Sequence, residues 1–402
     1  MREHFSDRSS VERTRGQLWC AGHWRTAGEI LMGPRNVWLS ILLPVYNVEP
    51  YLAECIHSII LQTGCDAGIE IIVVDDCSTD GSRSLVERLC EQFPQQLRLV
   101  GLDQNTGVSA TRNRLLDEAR GEFIWFIDPD DYMLAGAISE LRAIVACCNP
   151  DLVLCDYRKN RLWKRRSFFG PKRRLSSDVG KLVQGVFKSR KMYCWVKISR
   201  RTLWLNGPRF PEGRVFEDIA TTPWLLIQAN SYYYIPKAWI HYRQRACSIM
   251  DSVRRQPGYF DKAKHDDMAQ ALQGYRDDLR NCCGAIDPSV DYYVADFCAK
   301  EFTKTALRIR RAEETESAIP LKLEMLIEFR SLWEACSPIA FEQLTGHYLK
   351  RGRLVRYFIL RHCLSKVLIF APWHRSEAQP PSLRDIFVRR HEQPPAVGRD
   401  AA

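Results

Sequence analysis

Apolar positions along this chain fall first into short unbroken runs and later into helical spacing. Runs at 37 to 45, 69 to 74, 97 to 102 and 122 to 127 have the length of strands buried on both faces. Helical stretches are expected between them: after Pro50, after Ser78 and from about Val108. Strands and helices alternating at this spacing predict an α/β domain, with a mostly parallel sheet and helices on both faces. A further run at 151 to 155 and an aromatic strand at 232 to 235, continued by Trp239 and Ile240, extend the sheet. After about Met250 the strand signals stop. Helical periodicity over 268 to 279, 292 to 312 and 321 to 336 then predicts a mainly helical C-terminal region. The expected organisation is therefore a disordered leader at 1–36, a sheet domain at 37–250, a helical region at 251–374 and a flexible tail at 375–402. Met32, just before the first strand, offers an internal start.

Composition narrows the class. The chain of 402 residues is 46% hydrophobic and 26% charged, which excludes a disordered or fibrous protein. The apolar run from 354 to 371 is broken by Arg356, Arg361, His362 and Lys366, so no segment reaches the roughly 20 apolar residues of a membrane span. The mixed charges of 1 to 33 contain no secretory signal. The 15 cysteines include two adjacent pairs, Cys147-Cys148 and Cys282-Cys283, and no C-x-x-C. Reduced, mostly buried thiols in a cytosolic protein follow, without a zinc site. The net charge of +10 favours a polyanionic partner: nucleic acid, a membrane surface or a phosphorylated substrate. Basic side chains concentrate at 159 to 174 and at 350 to 366, where no acid occurs. On a helical wheel the basic residues of the second segment scatter, so it does not read as a clean amphipathic helix.

Ligands of open α/β sheets bind beyond the carboxyl ends of the strands. Three strands here end in polar or acidic groups: Pro44-Val45-Tyr46-Asn47, then Asp75-Asp76-Cys77-Ser78-Thr79-Asp80, then Asp128-Pro129-Asp130-Asp131. Carboxylates crowded at the ends of two strands would repel one another without a cation among them, and short hard oxygen ligands suit Mg2+ or Mn2+. Taken singly, the second stretch reads equally well as a helix N-cap and the third as a turn.

The text of four blocks resembles the family 2 glycosyltransferases of GT-A fold. They are Ser40 to Leu52, Ile71 to Ser82, Asn105 to Asn113 and Gly121 to Asp131, with weaker likeness through Trp195-Val-Lys197, Phe216-Glu-Asp218 and His241 to Arg245. Cys77 stands where that family usually has Gly. The resemblance implies a GT-A, Rossmann-like sheet and an inverting transfer from a nucleotide diphosphate sugar, a UDP-sugar being the commonest. The acceptor would be a glycan or lipid-linked hydroxyl in cell-surface polysaccharide or lipopolysaccharide synthesis. It also places the base and ribose at Pro44, Tyr46, Asp75 and Asp76, with Arg112 near base or diphosphate. Asp128 and Asp130 form the D-x-D pair, Asp130 on the metal and Asp128 on the ribose or the same ion.

An inverting transfer needs a carboxylate to take the acceptor's proton. By the same resemblance Asp218 is that base, with Glu217 beside it; read alone, the pair is an ordinary acidic helix start. His241 reads as a third metal ligand or as a packed core histidine. Arg245 reads as a clamp on the diphosphate, and Trp195 as an acceptor platform or a buried core residue. Arg112 read alone is a solvated helix arginine. The protein is expected in the cytoplasm, with peripheral membrane contact. A catalytically inactive sugar-nucleotide-binding scaffold is the rival reading. A sugar nucleotidyltransferase would carry a Gly-rich loop before Pro50, and nucleic acid is not expected as a partner, because no recognition signature accompanies the charge.

Overall fold

The computed structural model describes residues 37–64, 66–159, 163–244, 260–283, 287–312 and 318–365. The leader, the tail beyond 365 and Arg245 lie outside them. The described residues belong to one compact unit.

Strand β1 (Leu39–Val45) is buried at every position, because it runs parallel between β2 (Ile69–Asp75) and β4 (Phe123–Phe126). Strand β3 (Leu97–Gly101) pairs parallel outside β2 and closes that edge. The intervening helices are α1 (Glu49–Thr63), α2 (Ser82–Gln92) and α3 (Val108–Glu118). Pro50 opens α1, where its missing N–H would have had no partner in any case. Gly121 precedes β4: its N–H donates to Ser40 Oγ at 2.8 Å, and a Cβ there would lie 2.4 Å from the Ser40 backbone nitrogen. Only glycine allows the two chains this approach.

On the other side of β4 the sheet changes direction. Strand β9 (Lys197–Arg200) is antiparallel to both β4 and β6 (Leu152–Arg158). Strand β10 (Tyr232–His241) returns parallel to β6, with register shifts around Pro236, which donates no ladder bond. The two-residue strands β5 (Tyr132–Met133), β7 (Lys164–Arg165) and β8 (Leu175–Ser176) pair at the margins. The long ladders are parallel, and short antiparallel ones join them. Helices α4 (Ala137–Cys148), α5 (Val179–Ser189), α6 (Thr202–Leu205) and α7 (Glu217–Gln228) complete the sheet region.

The C-terminal helices are α8 (Lys262–Gln270), α9 (Tyr275–Cys283), α10 (Pro288–Arg311), α11 (Ala318–Ala335), α12 (Phe341–Lys350) and α13 (Leu354–Leu364). The single helix expected at 268 to 279 is instead two. Gly274, at φ +82°, ends the turn after α8, while Met268, Leu272, Tyr275 and Leu279 still face one core. The expected boundary near 250 separates a strand-bearing from a strand-free stretch, but not two cores. One apolar cluster runs from Leu42 and Ile124 through Val186 and Phe187 to Phe297, Phe302 and Trp333. Across the seam, Arg190 after α5 donates at 2.7 Å to the carboxylate of Asp296 in α10, a group that also accepts from Tyr348 and Arg356.

Candidate functional site

The carboxyl ends of β1, β2 and β4 open on one side. Tyr46, following β1, is 46% exposed, while Pro44 within it is buried. Asp75 and Asp76, adjacent in sequence, do different things. Asp76 is fully engaged: its carboxylate accepts from Thr106 N at 2.7 Å, Thr106 Oγ1 at 2.9 Å and Gly107 N at 2.8 Å, tying down the loop before α3. Asp75 accepts from Ser78 N at 3.2 Å through one oxygen and buries the other, Oδ1, without a partner. A buried carboxylate oxygen left so costs stability, so this atom is available to a donor from outside the chain. Cys77 takes φ +58°, the left-handed region that suits glycine, and this explains the family's usual residue there.

Arg112 is no solvated helix arginine. It is 3% exposed and gathers the acids of two distant segments. Its guanidinium lies 2.6 Å from Glu217, 3.1 Å from Asp128 and 3.7 Å from Asp218. Phe210 packs against it, with the guanidinium carbon 5.3 Å from the ring centre. Glu217 and Asp218 reach this point because Phe216 adopts φ +63° just before α7, a strained conformation for a bulky residue. Asp218 Oδ1 also accepts from Cys194 N at 3.2 Å. Both acids thus occupy an ordinary helix start and the mouth of the site at once.

Beyond β4, ligand oxygens of Asp128, Asp130 and Asp131 lie within 4.8 Å of one another. Burial pushes the Asp128 carboxyl up to about 7, with Arg112 opposing and Asp130 and Asp218 adding. Burial likewise pushes Asp131 up to about 9, with Asp128 and Asp130 adding. Asp131 accepts from Arg243 N at 2.8 Å, and its Oδ2 is buried without a hydrogen-bond partner. Three carboxylates offering converging hard oxygens, one of the three with an unpartnered oxygen, fit a divalent cation.

His241 does not converge with these three. Its ring is stacked on Tyr132 at 4.5 Å, and burial, then Arg243, holds its pKa below the usual imidazole value. The packed-histidine reading therefore describes it, although its Nδ1 is buried without a partner. Trp195 offers no open platform either. It is 2% exposed, parallel to Tyr193 at 5.0 Å and Tyr242 at 5.8 Å, and its carbonyl accepts from Trp125.

Three residues at the site were not singled out in the sequence. Asp131 belongs to the D-P-D-D text, but nothing there distinguishes it from a turn residue. Arg243 packs over Tyr51 and Tyr132 and pairs with Glu54. Lys197 in β9 is 2% exposed and donates to the carbonyls of Lys191 and Tyr193 at 2.8 and 2.7 Å. Burial pulls its amine down to about 8, against the pull of Asp218.

The model of a family described as "Glycosyl transferase family 2" matches residues 40–180. Glycosyltransferase GlyG of Streptococcus pneumoniae is 29% identical over 226 residues, 53% of this chain and 72% of that protein. The minor teichoic acid biosynthesis protein GgaB of Bacillus subtilis is 39% identical over 106 residues, 26% of this chain and 12% of its own. Matches to four curated Bacillus subtilis relatives cover between 12% and 64% of their lengths. The crystal structure of S. aureus TarS 1-349 in complex with UDP-GlcNAc superposes with a TM-score of 0.61 at 22% identity, covering 81% of this chain and 91% of that one. That likeness bears out the GT-A fold.

Proposed function

We propose, from the premise that residues 40–180 belong to glycosyl transferase family 2, that this chain transfers a sugar from a nucleotide diphosphate sugar to an acceptor hydroxyl with inversion. The observation that carries the reading is the meeting of Asp128, Glu217 and Asp218 on Arg112, beside the Asp130 and Asp131 carboxylates. Asp75, with its unpartnered oxygen, takes an N–H of the base, and a UDP-sugar supplies one in the uracil imide. Asp76 serves indirectly by fixing the 105–107 loop. Pro44 and Tyr46 flank the base, and Arg245 is proposed to hold the diphosphate.

Asp128, Asp130 and Asp131 would hold Mg2+ or Mn2+. The ion, when bound, offsets the charge of the diphosphate and of the leaving oxygens. Asp218 takes the acceptor proton in this reading, supported by its position 3.7 Å from Arg112 and its hydrogen bond from Cys194 N. On the acceptor side, Lys191 lies 5.9 and 5.5 Å from the rings of Tyr157 and Tyr193. Burial, together with Arg165, Lys159 and Lys304, lowers its pKa. Cations gathered there support an acceptor bearing negative charge, as a phosphate-containing cell-surface polymer or lipid-linked glycan does. Action at the cytoplasmic face of a membrane belongs to the same reading.

The test is a panel of nucleotide sugars offered to the purified chain with manganese and scored for binding and slow hydrolysis. Binding and hydrolysis of one donor, both lost in EDTA and in Asp130→Ala, is the expected result. Binding without turnover toward any acceptor would leave a sugar-nucleotide scaffold, and unchanged turnover in EDTA would remove the cation from the reading.

A further inference from the structure

Helix α13 wears its apolar residues on the wrong side. Its inner face is conventional: Leu360 and Cys363 are buried, and Tyr357 and Leu364 pack against the core. Its outer face carries Leu354 at 54%, Val355 at 73%, Phe358 at 63% and Ile359 at 42% exposure. At about 100° per residue these four fall within an arc of about 140°. Leu349, 45% exposed, lies in the last turn of the preceding helix. The scatter of basic residues on a wheel concealed this face, because the organising pattern lies in the exposed apolar positions.

Charge surrounds the patch. Segment 350–366 holds six Lys and Arg residues and no acid. Lys350, Arg351 and Arg361 are exposed, and Arg351 and Arg353 are steadied over the buried ring of Tyr292 at 3.8 and 5.8 Å. Arg356 points inward to Asp296. The helix is thus an apolar strip with cations at its start and flank, and anionic lipid headgroups complement it. A second copy of the chain complements it poorly. In a twofold contact the same patch meets itself, setting cations against cations.

We propose that α13 seats Leu354, Val355, Phe358 and Ile359 in the headgroup and acyl boundary of an anionic membrane, with Lys350, Arg351 and Arg361 on the headgroup phosphates. The site is separate from the one that binds the donor. Its test is co-sedimentation of the full chain with phosphatidylglycerol-containing vesicles and with pure phosphatidylcholine vesicles, at low and high salt. Anionic vesicles should retain the protein in a salt-sensitive manner, and neutral ones should not. Val355→Ser with Phe358→Ser, at exposed positions, should keep the parent's circular dichroism and donor affinity and weaken anionic binding on the order of ten-fold or more. Arg351→Gln with Arg361→Gln should flatten the salt dependence. The proposal fails if neutral and anionic vesicles bind alike, if neither binds, or if the Ser variant binds as the parent does. It fails equally if light scattering shows a dimer that the Ser variant dissolves.

Discussion

At Arg112 three segments become one site. Truncating it would leave three carboxylates facing one another without a cation, a loss of the order of 3 to 5 kcal/mol for a buried pair. The base proposed at Asp218 can be tested apart from donor binding: Asp218→Asn keeps an oxygen for Cys194 N and removes the carboxylate charge, which also faces Arg112 at 3.7 Å. Transfer should fall about 10² to 10⁴ fold with donor affinity within a few-fold in equilibrium binding. If affinity falls equally, the residue is structural; if transfer is unchanged, Glu217 is the base. Lys197 yields a pH signature. Its folded pKa, about 8, lies below the usual lysine value, so above pH 8 the unfolded chain holds more protons and stability rises with pH. Measured by urea unfolding, the parent should therefore gain up to about 3 kcal/mol relative to Lys197→Met between pH 8 and 10.5, and a flat difference would refute the shift. Asp75, Asp76, Asp128 and Asp130 were legible as a group, because strand ends can be counted from the apolar runs; Glu217 and Asp218, at a helix start, came only through the family resemblance. Lys197 was not, since only the folded carbonyls of Lys191 and Tyr193 make its burial tolerable. For Trp195 and His241 the sequence leaves a ligand-facing and a packed reading open for the same reason: what covers an aromatic ring is decided by residues far away in sequence.

Among elements, the parallel half of the sheet was readable because a strand between two neighbours has no polar face. Strand β9 was not: Lys-Ile-Ser-Arg carries no strand pattern, and only its place between β4 and β6 makes it one. The break between α8 and α9 escaped a periodicity that both helices obey toward the same core. Gly121 shows the tolerance of the β1–β4 pair. Gly121→Ala puts a methyl against the Ser40 backbone, which no side-chain rotation relieves. A loss of about 2 kcal/mol or more in urea unfolding is expected, and a neutral result would mean that the strands separate easily.

Across the whole molecule, the sheet and the C-terminal helices share one apolar cluster, so the chain should unfold as one body. A fragment ending at residue 250 would expose Val186 and Phe187, which pack in the cluster that continues into α10. We expect it to lack the cooperative thermal transition of the full chain, and a sharp transition in the fragment would restore two independent domains. The same continuity has a geometric consequence. Asp296 joins Arg190, beside the sheet, to Arg356, on α13 itself. Docked on a bilayer as proposed, a helix held this way would not turn independently of the sheet. The carboxyl ends of β1, β2 and β4 would then sit at a set height and tilt above the lipid. Under the proposed transfer the protein would gauge its acceptor as a ruler does, admitting a hydroxyl by its distance from the surface, whatever the chemistry of the sugar that bears it.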